Sequence, residues 1–243
     1  MPTERALLVI GDIGGYTRFM RLHKLSLAHA QENTAKLLEA MIDAAPRLEL
    51  VEIEGDAAFL YVAEPEDEEV AASIASLAAA IHLAFHTEQL RLGDLTLCPC
   101  DACNQIGQLT VKIVAHLGDV IEQRVRDRTT IAGPDVILVH RMLKNSVPVS
   151  EYLLMSEPVL RRCEEPVRDT AVTIDEELEG LGTERLYYVD MHELAEEAAA
   201  PRKTIPRRLA LTGGQVIRAV PYLVGVKGAE SLPRTDAESE PLG

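Results

Sequence analysis

The sequence predicts an α+β fold, a mixed sheet with helices packed on one face. Three observations carry this. Short apolar runs bounded by turn residues, such as "ALLVIGD", "AAFLYV" and "EYLLMS", read as strands. Stretches with helical spacing are interspersed among them. Gly-containing turns at Gly55-Asp56 and Gly180 to Gly182 join neighbouring strands directly, which gives antiparallel pairs beside helical connections. A chain of 243 residues suits one sizeable domain with an appendage.

The elements follow in order. "ALLVIGD" ends on Gly11-Asp12 and reads as a buried strand, and "IGGYTRFMRL" opens a helical stretch after Gly14 and Gly15. "LSLAHAQENTAKLLEAMIDAA" places Leu27, Ala30, Leu37, Leu38, Met41 and Ile42 near helical spacing, and Pro46 closes it. "LVEIEGDAAFLYV" alternates, so Val51 and Ile53 should face a core while Glu52, Glu54 and Asp56 share the other side. Like charges so arranged are a solvated face, or they await something positive. A long helix is expected from about Glu68 to Leu90. "TVKIVAHLGDVIEQRV" reads as two strands meeting near Gly118-Asp119, and "GPDVILVHRMLKNS" as a helix with Pro134 in its first turn. "EYLLMS" is a strand, "EPVLRRCEEP" a short helix, and "DTAVTIDEELEGLGTERLYYVDM" a closing pair of strands.

Residues 1–194 therefore form one domain and 195–243 an appendage. In the appendage "PRKTIPRR" is basic, "LALTGGQVIRAVPYLVGV" is apolar but broken by Gly213-Gly214, Arg218 and Pro221, and "KGAESLPRTDAESEPLG" has the composition of a disordered tail. A net charge of −15 argues against a nucleic-acid or anionic-membrane surface. The N-terminal apolar run is too short for a signal peptide, and "EEVAASIASLAAAIHLAF" reads as a buried helix rather than a membrane span. The expected location is the cytoplasm, with its four cysteines reduced.

Two features carry chemistry. "GDIGGYTRFM" sets Asp12 at a strand end, before a glycine turn into a helix whose first N–H groups suit a phosphate. Asp56 lies on the neighbouring hairpin, and two such carboxylates make a site for two divalent cations, Mg²⁺ or Mn²⁺. "LTLCPCDACNQIG", in a loop over residues 97–106, gathers Cys98, Cys100 and Cys103, three thiols suited to a structural Zn²⁺. A fourth ligand would come from His86, His116, Cys163 or a second subunit. The alternatives are reduced thiols or a redox-responsive loop.

With these residues in view, the chain resembles the class III nucleotidyl cyclases over about Ala6 to Asp190. The family's F-x-D-I-x-G-F-T is matched by "VIGDIGGYT", and its [K/E]-x-x-G-D-A by Glu52 to Ala57. Its R-I-G-I-H-x-G-x-V is matched by "VKIVAHLGDV", and its G-x-x-V-N-x-A-x-R in part by "GPDVILVHR". The resemblance implies the ferredoxin-like catalytic-domain fold of that family. It also implies a cytoplasmic, metal-dependent signalling enzyme that turns a nucleoside triphosphate into a 3′,5′-cyclic nucleotide and pyrophosphate, in a head-to-tail homodimer. Asp12 and Asp56 would hold the metals, Gly14, Gly15, Tyr16 and Thr17 would face the phosphates, and Arg141 would act in catalysis. Glu52 and Thr130 would read the base. Glu52 follows the guanine pattern and Thr130 the adenine one, so the base stays open.

Two positions depart from the family. Ile137 stands where it has its catalytic Asn, and "EGLG" puts Glu179 and Leu181 where members often read K-G-K-G. Lys144 or Asn145 are candidate substitutes for the lost donor. The expectation is a weak cyclase; the alternative is a degenerate module that binds nucleotide or a protein partner. His116 and His140 are expected to be structural, and Glu54 exposed and idle.

Overall fold

The structure, a computed structural model, describes residues 3–22, 27–63, 66–93 and 101–194. Among the described residues eight strands form one sheet: β1 (Thr3–Gly14), β2 (Glu49–Glu54), β3 (Ala57–Ala63), β4 (Thr110–Val125), β5 (Arg128–Ala132), β6 (Tyr152–Ser156), β7 (Val172–Leu178) and β8 (Gly182–Asp190). Their order is β2-β3-β1-β4-β6-β8-β7, with β5 paired to the far end of β4. β4 and β6 run parallel and every other pair antiparallel, so the sheet is mixed.

One face carries nearly all the helices: α1 (Tyr16–Leu22), α2 (Leu27–Asp43), α3 (Asp67–Ala72), α4 (Ile74–Gly93), α5 (Asp101–Gln105), α7 (Glu157–Leu160), α8 (Glu165–Thr170) and α9 (Met191–Leu194). They cover Leu7, Val9 and Ile13 of β1 and Val111, Ile113, Ala115 and Leu117 of β4. Period-two alternation sends Ala6, Leu8 and Ile10 to the other face. There, among the described helices, only α6 (Pro134–Met142) packs, through Val139 and Met142, an exception to the expected one-faced helical layer. None of the described helices is long and apolar enough to cross a membrane.

Three details differ from the sequence reading. β4 is one continuous strand of 16 residues rather than two. Gly118 is not a turn; a Cβ there would collide with the Asp135 carboxylate, so the glycine admits the first turn of α6 against the strand. The chain turns instead at Arg126, with φ of 58°, before β5. In β2, a bulge between Leu50 and Glu52 interrupts the alternation. Val51 still packs on the α6 face, but Ile53 is 49% exposed because β2 is an edge strand. The expected helix from Glu68 is two, α3 and α4, broken at Ser73.

Candidate active site

Asp12 stands near the C-terminal end of β1, level with Ala57 on β3 and Lys112 on β4. The Ile13 N–H donates to the Asp56 carbonyl at 3.1 Å, which locks the β2–β3 turn against β1 and brings the two aspartates side by side. Gly55, with φ of 67°, supplies the left-handed residue that this turn needs. Burial, and then the nearby charge of Asp12, push the Asp56 carboxyl above its ordinary range, against the pull of Lys112. The pair is thus short of positive charge. Among the described residues its one counter-ion is Lys112, whose Nζ lies 2.7 Å from Asp12 Oδ2. Burial alone would lower the Lys112 ammonium, yet its bond to Asp12 holds it above the ordinary value. Two carboxylates against one ammonium leave a net negative pocket, which fits divalent cations. Lys112 aligns with the arginine of the family motif around "VKIVAHLGDV", a signal present in the sequence but not drawn from it.

Gly14 and Gly15 make the tight passage from β1 into α1. A Cβ at Gly14 would strike the Thr110 side chain, and Gly15 has φ of 83°. Gly15, Arg18 and Phe19 line a cleft of about 140 Å³ with Gln105, Gln108 and Leu109. Thr17 sits in the first turn of α1, and Tyr16 turns its hydroxyl to Gln31 on α2, at 3.4 Å.

Of the two base-reading candidates, Thr130 lines a cleft and Glu52 does not. Thr130 on β5 lines a cleft of about 250 Å³ whose other wall includes Leu50 and Val51, immediately before exposed Glu52. Arg141 on α6 is bound to Glu179 of the β7–β8 turn, Nη1 to Oε2 at 2.7 Å. Among the described residues it has no hydrogen bond or ion pair to Asp12 or Asp56. Ile137 is 54% exposed on the same helix. Asn145 is committed elsewhere: its Nδ2 donates to the Met142 carbonyl and its Oδ1 accepts from the Tyr152 hydroxyl.

Other residues prove structural. His116 is buried, with Nδ1 at 2.8 Å from Ser156 Oγ and Nε2 at 3.0 Å from Asp135 Oδ1, so it ties β4 to β6 and α6. Glu54 is not idle: its Oε1 lies 3.1 Å from His140 Nε2, which joins the β2–β3 turn to α6. Cys98 and Cys100 lie outside the described residues. Cys103 is buried, 3.5 Å from Asn33 Nδ2 and 3.8 Å from His29 Nε2. The suggested fourth ligands are engaged elsewhere: His86 faces Glu151, His116 faces Ser156 and Asp135, and Cys163 faces Met155.

Comparison with known proteins agrees with this fold. Residues 34–152 match the family model described as "Protein of unknown function (DUF2652)". The adenylyl cyclase CyaB from P. aeruginosa superposes with a TM-score of 0.56 at 16% identity, covering 84% of this chain and 98% of that one. The guanylate cyclase domain of RhGC from Catenaria anguillulae, solved in complex with GTP, gives 0.53 at 19%, covering 78% and 98%. The uncharacterized protein Rv2561/Rv2562 of Mycobacterium tuberculosis is 37% identical over 195 residues, which is 80% of this chain and 91% of its own length. On the catalytic-domain fold of the class III nucleotidyl cyclases, the chain belongs to the family of Rv2561/Rv2562.

Proposed function

We propose that the protein is a metal-dependent nucleotidyl cyclase of low turnover. The observation that carries this reading is the pairing of Asp12 with Asp56, two carboxylates locked together across β1 and the β2–β3 turn and only half neutralised by Lys112. Asp12 and Asp56 would hold two Mg²⁺ or Mn²⁺ ions. Such ions lower the pKa of the attacking hydroxyl and screen the charge on the leaving pyrophosphate. The ribose 3′-oxygen bonds to the α-phosphorus as the bond to the bridging oxygen breaks, and the hydroxyl proton leaves to solvent. Gly14, Gly15 and Thr17 would face the phosphates, Arg141 would neutralise charge in the transition state, and Glu52 and Thr130 would border the base.

A homodimer follows from the same reading, because Arg141 does not reach the aspartates within one chain. Asp56→Ala and Arg141→Ala proteins should each be inactive, and mixing them should restore activity through one intact site per heterodimer. Failure of the mixture, with active wild-type protein, would overturn the shared site.

A second reading, a module that binds triphosphate without cyclising it, is favoured by one stretch of surface. Exposed Ile137 offers no hydrogen bond, and Glu179 occupies Arg141. Binding that requires Asp12, with no product from any of the four ribonucleoside triphosphates, would decide for it.

A further inference from the structure

His82 and His86 lie one turn apart on α4, so both imidazoles leave the same face of the helix. They meet Glu151, which is 3% exposed just before β6. His82 Nε2 is 3.1 Å from Glu151 Oε2, and His86 Nε2 is 2.9 Å from Oε1 and 3.2 Å from Oε2. His192 of α9 brings a third imidazole, with Nε2 at 3.7 Å from Oε2. The arrangement is braced: the Val111 N–H donates to Glu151 Oε1 at 3.0 Å, and the Met191 N–H donates to the Glu151 carbonyl at 3.1 Å.

The tautomer of His86 is set from behind. Gln89 Nε2 donates to the Ile106 and Leu109 carbonyls at 2.8 and 2.7 Å, which fixes its amide and turns Oε1 to His86 Nδ1 at 2.9 Å. Nδ1 therefore carries a proton, and in the neutral ring Nε2 carries a lone pair. That lone pair faces a carboxylate oxygen, acceptor against acceptor, so a proton or a metal ion belongs between them. A hydrogen-bonded group behind the ring is what orients a ligand histidine.

The spacing suits a metal. Zinc bonds of about 2.0 to 2.2 Å to nitrogen and oxygen put neighbouring ligand atoms of a tetrahedron roughly 3.3 Å apart. The imidazole-to-carboxylate separations here run from 2.9 to 3.7 Å. The ligand atoms of His82, His86 and Glu151 all lie within 4.8 Å of one another. Imidazoles with one carboxylate favour Zn²⁺ and its late first-row neighbours over Mg²⁺ or Ca²⁺, which take oxygen ligands.

We propose that His82, His86 and Glu151 form a Zn²⁺-class site on the helical face of the sheet, apart from the Asp12–Asp56 pair on the other face, with the exposed His192 side chain turning in as fourth ligand. The ion would clamp α9 and the start of β6 to α4.

The test uses the full chain, stripped with a chelator and titrated with Co²⁺ and then Zn²⁺. We expect one Co²⁺ per chain at this site, a visible ligand-field band without intense thiolate charge transfer, displacement of that band by Zn²⁺, and a higher melting temperature with Zn²⁺. Cys98→Ser should keep the band, His86→Gln should lose it, and His192→Ala should weaken affinity at least tenfold. His192 is largely exposed, so its variant tests the site without loss of folding. A wild-type protein with neither band nor Zn²⁺-dependent stabilisation would overturn the proposal. So would a thiolate-dominated spectrum alone, or a band unchanged in both histidine variants.

Discussion

Lys112 Nζ lies 2.7 Å from Asp12 Oδ2, so the ammonium is the counter-charge of the carboxylate pair. Removing it leaves Asp12 and Asp56 to repel each other in a partly buried pocket. Lys112→Met should lower metal-free stability by about 1 to 3 kcal/mol. Because the repulsion is relieved by divalent cations, Mn²⁺ should raise the melting temperature of the variant more than that of the wild type. Thermal unfolding with and without Mn²⁺ checks this; an equal shift in both proteins would contradict it.

Gly118 and Asp135 form a second testable pair. Asp135 accepts from the Asp119 N–H at 2.7 Å and holds His116, and it fills the space a Cβ at position 118 would need. Gly118→Ala should cost about 1 to 3 kcal/mol by overpacking. Adding Asp135→Ala removes the collision, so the double variant should be less destabilised than the two single changes summed. Denaturant midpoints of the four proteins read the coupling.

The ion pair of Arg141 with Glu179 is exposed on the Glu179 side, so its worth to stability is small, under about 1 kcal/mol. Its effect on ligand should be larger. Glu179→Lys releases Arg141 and replaces an anion by a cation beside the proposed triphosphate site. Triphosphate affinity should rise roughly tenfold, about 1.4 kcal/mol, with the melting temperature nearly unchanged. Titration calorimetry measures this, and unchanged affinity would place Glu179 outside the site.

Much of this was legible in the sequence, and what was not had specific physical causes. The α2 stripe and the β7–β8 turn were readable from periodicity and from Gly180 and Gly182. Gly118-Asp119 misled because a glycine in a strand marks either a turn or a close approach, and only the position of Asp135 in three dimensions decides between them. The exposure of Ile53 depends on β2 lying at a sheet edge, a matter of strand order that local alternation does not carry. The pairing of Glu54 with His140 joins residues 86 apart. His82 and His86 show the four-residue spacing of a helical ligand pair, but Glu151 and His192 join them only through packing of α4 against α9.

The central claim is that Asp12 and Asp56 support metal-dependent chemistry on a nucleoside triphosphate. The most direct measurement incubates the purified chain with each of the four ribonucleoside triphosphates and Mn²⁺ or Mg²⁺ and identifies products by mass spectrometry. A 3′,5′-cyclic nucleotide with pyrophosphate is expected from at least one of them, slowly and faster with Mn²⁺. Asp12→Ala should abolish it. Ile137→Asn should raise it by up to about 10²-fold, the usual worth of one restored transition-state donor. No cyclic product from any triphosphate under either metal, or product that persists in Asp12→Ala, would contradict the account.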